Sequence, residues 1–339
     1  MKKILVTGGL GYIGSHTVVE LINAGYDPII YDNLSNSKEV VLKRLEKITK
    51  RKISFIIGDV RDKKKLNEVF KENNIKAVLH FAGLKSVSES NSNPYEYYDN
   101  NLNGSLTLVN EMIIAEIKNL IFSSSATVYG VPESCPINES FETSATNPYG
   151  RSKLMVEQCL RDIYNSKKEI NISILRYFNP IGSHESGLIG ESPNEIPNNL
   201  MPYISQVGVG KLKELSIFGS DYPTKDGTCI RDYIHVVDLA KGHIAALSYM
   251  FKNKKNKIET FNLGTGNGYS VLEMVKKFEE TSNLKIPYKF TERRKGDVSE
   301  CWADPNKALL LLNWEAEFNL EKMMVDLWNW QKKNPNGYE

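Results

Sequence analysis

Lys3-Ile4-Leu5-Val6-Thr7-Gly8-Gly9-Leu10-Gly11-Tyr12-Ile13-Gly14 begins with an unbroken apolar run and ends in glycines. The run predicts a strand buried on both faces, and the segment after it, carrying Ile13, Val19, Leu21 and Ile22, has helical spacing. Gly25 reads as the helix stop. A Gly-x-Gly-x-x-Gly string alone is weak evidence; here it lies between strand and helix. Gly8 belongs to the same turn, Gly9 permits its tightness, Gly11 lets a pyrophosphate approach the backbone, and Gly14 allows close helix–strand packing. The helix N-terminus adds N–H groups and a positive dipole end. Asp32, closing the second strand, is placed to accept from adenosine ribose hydroxyls and to repel a 2′-phosphate, which favours NAD over NADP. The bland alternative, a generic turn with a surface aspartate, is outweighed by this context.

Outward from this unit the pattern repeats. Residues 28–31, 53–57, 77–81, 120–123 and 172–175 read as further strands. Residues 64–72, 95–115 and 149–165 read as helices between them, which makes an α/β, doubly wound parallel sheet of Rossmann type. After 180 the texture changes. Residues 181–200 are rich in Gly, Ser, Pro and Asn and read as a loop leaving the sheet. Beyond it are helices at 199–209, 236–250 and 270–280, strands at 215–218 and 260–263, and a Trp-rich C-terminal helix. The expected division is an NAD-binding domain over 1–180 and a smaller mixed α/β lobe over 181–339, part of 233–265 packing back on the first.

Composition narrows the class. Across 339 residues, 41% are hydrophobic and 25% charged, as in an ordinary soluble globule. The formal charge of +2 lacks the basic excess of a nucleic-acid binder. The lysine-rich stretches at 61–65 and 252–255 read as solvated surface. Four scattered cysteines (135, 159, 229, 301) without a CxxC, and five histidines without ligand spacing, argue against a metal site and for a reducing compartment. Met1-Lys2-Lys3 resembles the start of a signal peptide, but the apolar run ends too soon. No apolar stretch reaches the roughly 20 residues of a membrane span. A cytoplasmic protein is expected.

The strongest chemical signal is Tyr149-Gly150-Arg151-Ser152-Lys153, with Ser123-Ser124-Ser125 ending the strand before it. Tyr149 and Lys153 are i, i+4 and share a helix face. A free tyrosine is a poor base near neutrality, its pKa being about 10. A nearby ammonium and a cationic nicotinamide are expected to lower it. Lys153 can also hold the nicotinamide ribose, and Ser125 can hydrogen-bond the reacting hydroxyl. An isolated YxxxK is usually just an exposed helix face; beside a dinucleotide turn and a serine-bearing strand end, chance is a poor account. Asp59-Val60 and Phe81-Ala82-Gly83, at carboxyl ends of strands, should border adenine and pyrophosphate.

These motifs resemble an extended short-chain dehydrogenase/reductase. Further strings narrow the resemblance: His80-Phe81-Ala82-Gly83-Leu84-Lys85, Tyr97-Tyr98-Asp99-Asn100-Asn101, Ser123-Ser124-Ser125-Ala126-Thr127-Val128-Tyr129-Gly130, Leu175-Arg176-Tyr177-Phe178-Asn179-Pro180, Pro197-Asn198-Asn199-Leu200-Met201-Pro202 and Gly227-Thr228-Cys229-Ile230-Arg231-Asp232-Tyr233-Ile234-His235. Together they are similar to the UDP-glucose 4-epimerase family over essentially the whole chain. The resemblance implies transient oxidation of the sugar at C4 with bound NAD, a 4-keto intermediate, and hydride return to its opposite face. It implies that Tyr12, Ile13, Asp32, Asn33, Asn36, Ser37, Asp59, Val60, Phe81, Ala82, Gly83, Lys85, Asn100, Tyr149, Lys153 and Phe178 line the cofactor. Ser125, Tyr149, Asn179, Asn199, Leu200, Phe218, Arg231, Arg294, Asp297 and Cys301 are implied for the UDP-sugar, the two arginines matching the diphosphate. It also implies a homodimer paired through the helices from 95 and 149.

The resemblance raises one finer expectation and separates the rivals. Some family members carry a bulky Tyr where Cys301 stands; the small thiol here implies that UDP-N-acetylglucosamine and UDP-N-acetylgalactosamine also fit. An alignment shift of one residue would put Trp302 at that wall instead. Related 4,6-dehydratases carry an acidic pair directly after the strand-five serine or threonine, where this chain has Ala126 and Thr127. The second-lobe strings resemble a neutral-sugar enzyme better than a hexuronate epimerase. A non-catalytic NAD-sensing protein would tend to lack Tyr149 or Lys153.

Overall fold

The apolar runs of the first half pair with one another in parallel. In chain order the elements are β1 (Lys3–Thr7), α1 (Tyr12–Asn23), β2 (Asp27–Asp32), α2 (Val40–Thr49), β3 (Ser54–Ile57), α3 (Lys63–Glu72), β4 (Ile75–His80), α4 (Val87–Ser92), α5 (Pro94–Tyr97), a π-helical turn at Tyr98–Asn103, α6 (Gly104–Ile114), β5 (Asn119–Ser125), a 3₁₀ turn at Ala126–Tyr129, α7 (Pro148–Lys167) and β6 (Asn171–Tyr177). The rest comprises β7 (Asn179–Ile181), α8 (Leu200–Gly208), β8 (Leu215–Phe218), β9 (Ile230–His235), α9 (Val236–Lys252), β10 (Ile258–Leu263), β11 (Gly268–Ser270), α10 (Val271–Ser282), β12 (Tyr288–Thr291), β13 (Glu300–Cys301), α11 (Asn306–Leu312) and α12 (Leu320–Lys333). This computed structural model describes residues 1–167, 169–194, 196–253, 255–294 and 296–339. Lys254 of the second lysine-rich stretch, and Lys295 beside Arg294, lie outside the described residues.

Seven strands form one sheet in the order β3-β2-β1-β4-β5-β6-β10, every neighbouring pair parallel. Strand order reverses between β1 and β4, so the ligand crevice of such a sheet opens at their carboxyl ends. Apart from the edge strand β3, the strands are buried on both faces, which is why they read as apolar runs. From β1, Ile4 and Val6 enter one core layer with Leu21, Leu239 and Phe261, while Leu5 enters the other with Leu108, Phe122 and Leu160. Strand β10, from the sequence beyond 181, is therefore an edge of this sheet, and α9 packs against α1.

Two smaller sheets follow. β9 lies at the centre of a four-stranded sheet, with β7 and β13 parallel to it and β11 antiparallel. β8 and β12 form a parallel pair. A third apolar cluster of Met201, Ile204, Ile217, Phe278, Met324 and Leu327 packs α8, α10 and α12 together. The helix expected over 95–115 is interrupted by the π-helical turn. There Asn101 accepts from the Leu84 amide at 2.8 Å and donates to the Leu84 carbonyl at 3.0 Å. Among the described residues no helix is long and apolar enough to cross a membrane.

Candidate active site

The glycine turn is built on Gly8 rather than Gly9. Gly8 has φ +68°, and a Cβ there would stand 2.7 Å from the Ala82 nitrogen. Gly9 has no such conformation; its Cα packs against Ile30, where a Cβ would come within 3.0 Å of Cγ2. At Gly14 a Cβ would come within 2.3 Å of the Gly8 carbonyl oxygen, so close approach of α1 to the turn excludes any side chain. No side chain caps α1, which leaves its leading N–H groups and positive end to an anion.

Beside this turn, Gly8, Asp32, Asn33, Asn36, Val60, Ala82, Gly83 and Asn100 line one cleft. Tyr31, Ser35, Gly58 and Leu84 complete its wall, a contribution sequence reading missed. Gly58 has a readable cause: a Cβ would meet the Tyr31 ring at 2.4 Å. Asp32 accepts from the Leu10 and Leu34 amides, each at 3.0 Å, and from the Ser37 hydroxyl at 2.8 Å, tying the glycine turn to the end of β2. Asn33 donates to Asp59 at 2.9 Å. Hydrogen bonds from Arg61 hold the Asp59 carboxyl down at about 2, and the same guanidinium reaches Asp99 at 2.7 Å. Ile13 and Phe81 pack against the core beneath, and the Tyr12 hydroxyl donates to the Gly182 carbonyl at 2.7 Å.

Across the sheet, β5 delivers Ser125 to the start of the 3₁₀ turn, where its hydroxyl accepts from Thr127 Oγ1 at 3.0 Å. α7 then brings Tyr149 to it. Burial pushes the Tyr149 phenol above its ordinary value, and a hydrogen bond with Ser125 opposes that rise. Lys153 is not among the groups that lower this pKa. The ammonium donates to the Ser123 carbonyl at 2.8 Å and lies 5.1 Å from the Phe122 ring centre, while burial pulls its own pKa down to about 8. It also borders the backbone gap at Gly83, where a Cβ would stand 3.4 Å from Nζ.

Two polar groups fix α7 in place. Ser152 donates to the Tyr149 carbonyl at 2.7 Å and accepts from Asn101 at 3.1 Å. Glu157, on the same helix face as Tyr149 and Lys153, accepts from Ser124 at 2.6 Å and from Arg176 at 2.6 and 3.0 Å, with both charges buried. Glu157 was invisible to the motif reading, although its spacing of four from Lys153 was a usable signal.

The second-lobe residues fall into three groups, two of them joined through Asp297. Asn179 donates to the Asp232 carbonyl at 2.9 Å, fixing β7 to β9. On β9, Arg231 lies 3.8 Å from Asp297 and pairs in register with Cys301. Cys301 packs among Ala126, Val128 and Phe178, and burial pushes its thiol up to about 12. Arg294 stacks 4.4 Å over the ring of Phe218, and its carbonyl accepts from the Asp297 amide at 3.1 Å. Leu200 begins α8 after Asn199, whose amide reaches Glu191 at 3.3 Å. Glu191 also meets Lys85 at 2.6 Å.

A family model for GDP-mannose 4,6 dehydratase matches residues 5–327. UDP-glucose 4-epimerase of Bacillus subtilis (strain 168) is 56% identical over 336 residues, covering 99% of this chain and 98% of that protein. UDP-glucose 4-epimerase from Bifidobacterium longum, crystallised in complex with NAD⁺ and UDP, matches with a TM-score of 0.96 and 52% identity, over 99% of this chain and 100% of that one. The Stenotrophomonas maltophila enzyme, with bound NAD and formylated UDP-arabinopyranose, matches with a TM-score of 0.96 and 46% identity, over 99% of each chain.

Proposed function

This chain belongs to the UDP-glucose 4-epimerase family of NAD-dependent isomerases, and we propose that Tyr149, Ser125 and Lys153 carry its chemistry on a UDP-hexose held by the second lobe. The turn suits a dinucleotide: side chains are excluded at Gly8 and Gly14, the end of α1 is uncapped, and Asp32 and Asn33 border the adjoining cavity. NAD, when bound, supplies the acceptor and later donor of the C4 hydride, with a positive charge that favours a phenolate nearby.

Tyr149 takes the proton of the sugar 4-OH, and Ser125 holds that hydroxyl in line through the contact it already makes with the phenol. Lys153, fixed on Ser123, holds a ribose hydroxyl of the cofactor. Arg231 and Arg294 grip the diphosphate, and Asn179, Asn199, Leu200, Phe218 and Asp297 shape the nucleotide subsite. The meeting of Tyr149 with Ser125 beside buried Lys153 carries this reading. The two residues after Ser125 separate the chain from the dehydratases named by the matching family model. At the positions of their acidic pair, Ala126 is buried and Thr127 spends its hydroxyl on Ser125.

From the small side chain at Cys301, which packs against the cluster holding Ala126 and Phe178, we further infer that UDP-N-acetylglucosamine and UDP-N-acetylgalactosamine are accepted as substrates. Exposed Tyr95, Ile114 and Met155 on α5, α6 and α7 support a homodimer across these helices. We divide the chain into 1–180 and 181–339, with α9 and β10 returned to the first unit. Four free cysteines suit the cytoplasm. The test is to incubate the purified protein with UDP-galactose and no added cofactor. Formation of UDP-glucose is expected; UDP-4-keto-6-deoxyglucose as product would overturn the reading.

A further inference from the structure

A polar strap joins the loop after β4 to the loop before α8. Lys85 Nζ lies 2.6 Å from Glu191 Oε1, and Asn199 Nδ2 donates to the same oxygen at 3.3 Å. Asn198 donates to Ser86 at 3.1 Å and accepts from Ser88 at 3.0 Å. The Glu191 side chain is 7% exposed, against 57% for Lys85. Its backbone carbonyl is held by the buried Trp330 indole at 3.1 Å. Among the described residues Lys85 is its ion-pair partner.

We propose that Glu191 is a positioning residue that couples the grip on the cofactor to occupancy of the nucleotide-sugar subsite. This rests on the reading above, which places Asn199 at the UDP-sugar, together with the family resemblance, which implies that Lys85 lies at NAD. A carboxylate this buried must keep its donors, because an unpaired buried charge is severely penalised. Two donors share one of its oxygens. A UDP moiety that draws the Asn199 amide to itself leaves Lys85 as the main support of that charge. Lys85 is then pinned to Glu191, and the strap closes the loop after β4, whose Gly83 and Leu84 line the cofactor cavity. Binding of UDP therefore slows escape of NAD, and by linkage NAD tightens UDP.

The direct test follows release of NAD from the holoprotein with and without saturating UDP, in the native chain and in Glu191→Gln. Gln keeps the shape and an acceptor for Asn199 but removes the charge that holds Lys85. UDP is expected to slow release about tenfold in the native protein, in the usual range of coupling between sites, and less than about twofold in Glu191→Gln. Lys85→Met cuts the strap from its other end and should lose the effect equally, which covers a failure of Glu191→Gln to fold. A purely stabilising Glu191 would lower the unfolding midpoint and leave the UDP effect intact. Equal slowing in native and variant proteins, or none in the native protein, overturns the coupling. A native protein that holds no NAD at all overturns the functional reading instead.

Discussion

Replacing Glu157 by alanine removes the carboxylate on which Ser124 and Arg176 converge. The two charged side chains are 1% and 4% exposed and meet at 2.6 Å, with a second bond at 3.0 Å from Arg176 Nε. Burial lowers the Arg176 pKa, yet the hydrogen bond and charge of Glu157 outweigh it and hold the guanidinium above its ordinary value. Without Glu157 that charge stays buried, with Nη1 already lacking a partner in the structure. Breaking a buried pair from one side costs about 3–5 kcal/mol, against a total stability of roughly 5–15 kcal/mol for a folded protein. The variant should fold, with its urea midpoint sharply reduced. Turnover should fall as well, because the same contact seats the helix face that presents Tyr149 and Lys153. Glu157→Ala with Arg176→Met, which removes both charges, should recover most of the stability. Chemical denaturation of the three proteins checks this. A loss below about 1 kcal/mol for the single variant, the scale of an exposed pair, would refute the claim that this pair anchors α7.

Tyr149→Phe should lower turnover by about 10²–10⁴-fold, the usual scale of general base catalysis, while NAD and UDP binding by calorimetry stay near native. Cys301→Tyr should abolish turnover of UDP-N-acetylglucosamine and preserve that of UDP-galactose; equal acetamido-sugar turnover by both proteins would show that position 301 is not the gate. Gly14→Ala should lose bound NAD on purification, because its Cβ would stand 2.3 Å from the Gly8 oxygen; absorbance of the released nucleotide reads this. For Lys153, burial sets the folded pKa at about 8 against an ordinary 10.5. Between those values the unfolded chain keeps a proton that the folded protein has released, so this group's contribution to stability rises with pH. Urea midpoints from pH 8 to 10 for the NAD-free protein should show that rise, and Lys153→Met should flatten it.

The legible part of the fold is the part buried on two faces. In β1, Ile4, Leu5 and Val6 alternate between two core layers, so no polar residue interrupts the run and the strand is plain in the sequence. β9 was not readable. Its Ile230-Arg231-Asp232-Tyr233 start mixes charge with apolar bulk because Asp232 is satisfied by partners distant in sequence, the Thr265 hydroxyl at 2.7 Å and the amides of Thr265, Gly266 and Ala303 at 2.9 to 3.1 Å. The α2 helix is equally hard to read, since Glu39 at its start makes no side-chain cap. In the site, the i, i+4 spacing of Tyr149 and Lys153 reads as one helix face, and both residues lie on α7. It could not show that the ammonium turns to Ser123, since that depends on where β5 ends relative to α7. Glu157 and Glu191 read as ordinary surface glutamates until the fold buries them against Arg176 and Lys85. Positive φ at Gly8 rather than Gly9 is likewise set by contact with Ala82 on another strand's end.

UDP-galactose carrying deuterium at C4, incubated with the purified protein and no added NAD, tests the central claim most directly. If Tyr149 removes only the hydroxyl proton while the C4 hydrogen leaves and returns as hydride within the closed site, the UDP-glucose formed retains deuterium at C4 with inverted configuration. Washout of that deuterium into solvent would contradict the account, because it would require C4 itself to exchange as a proton.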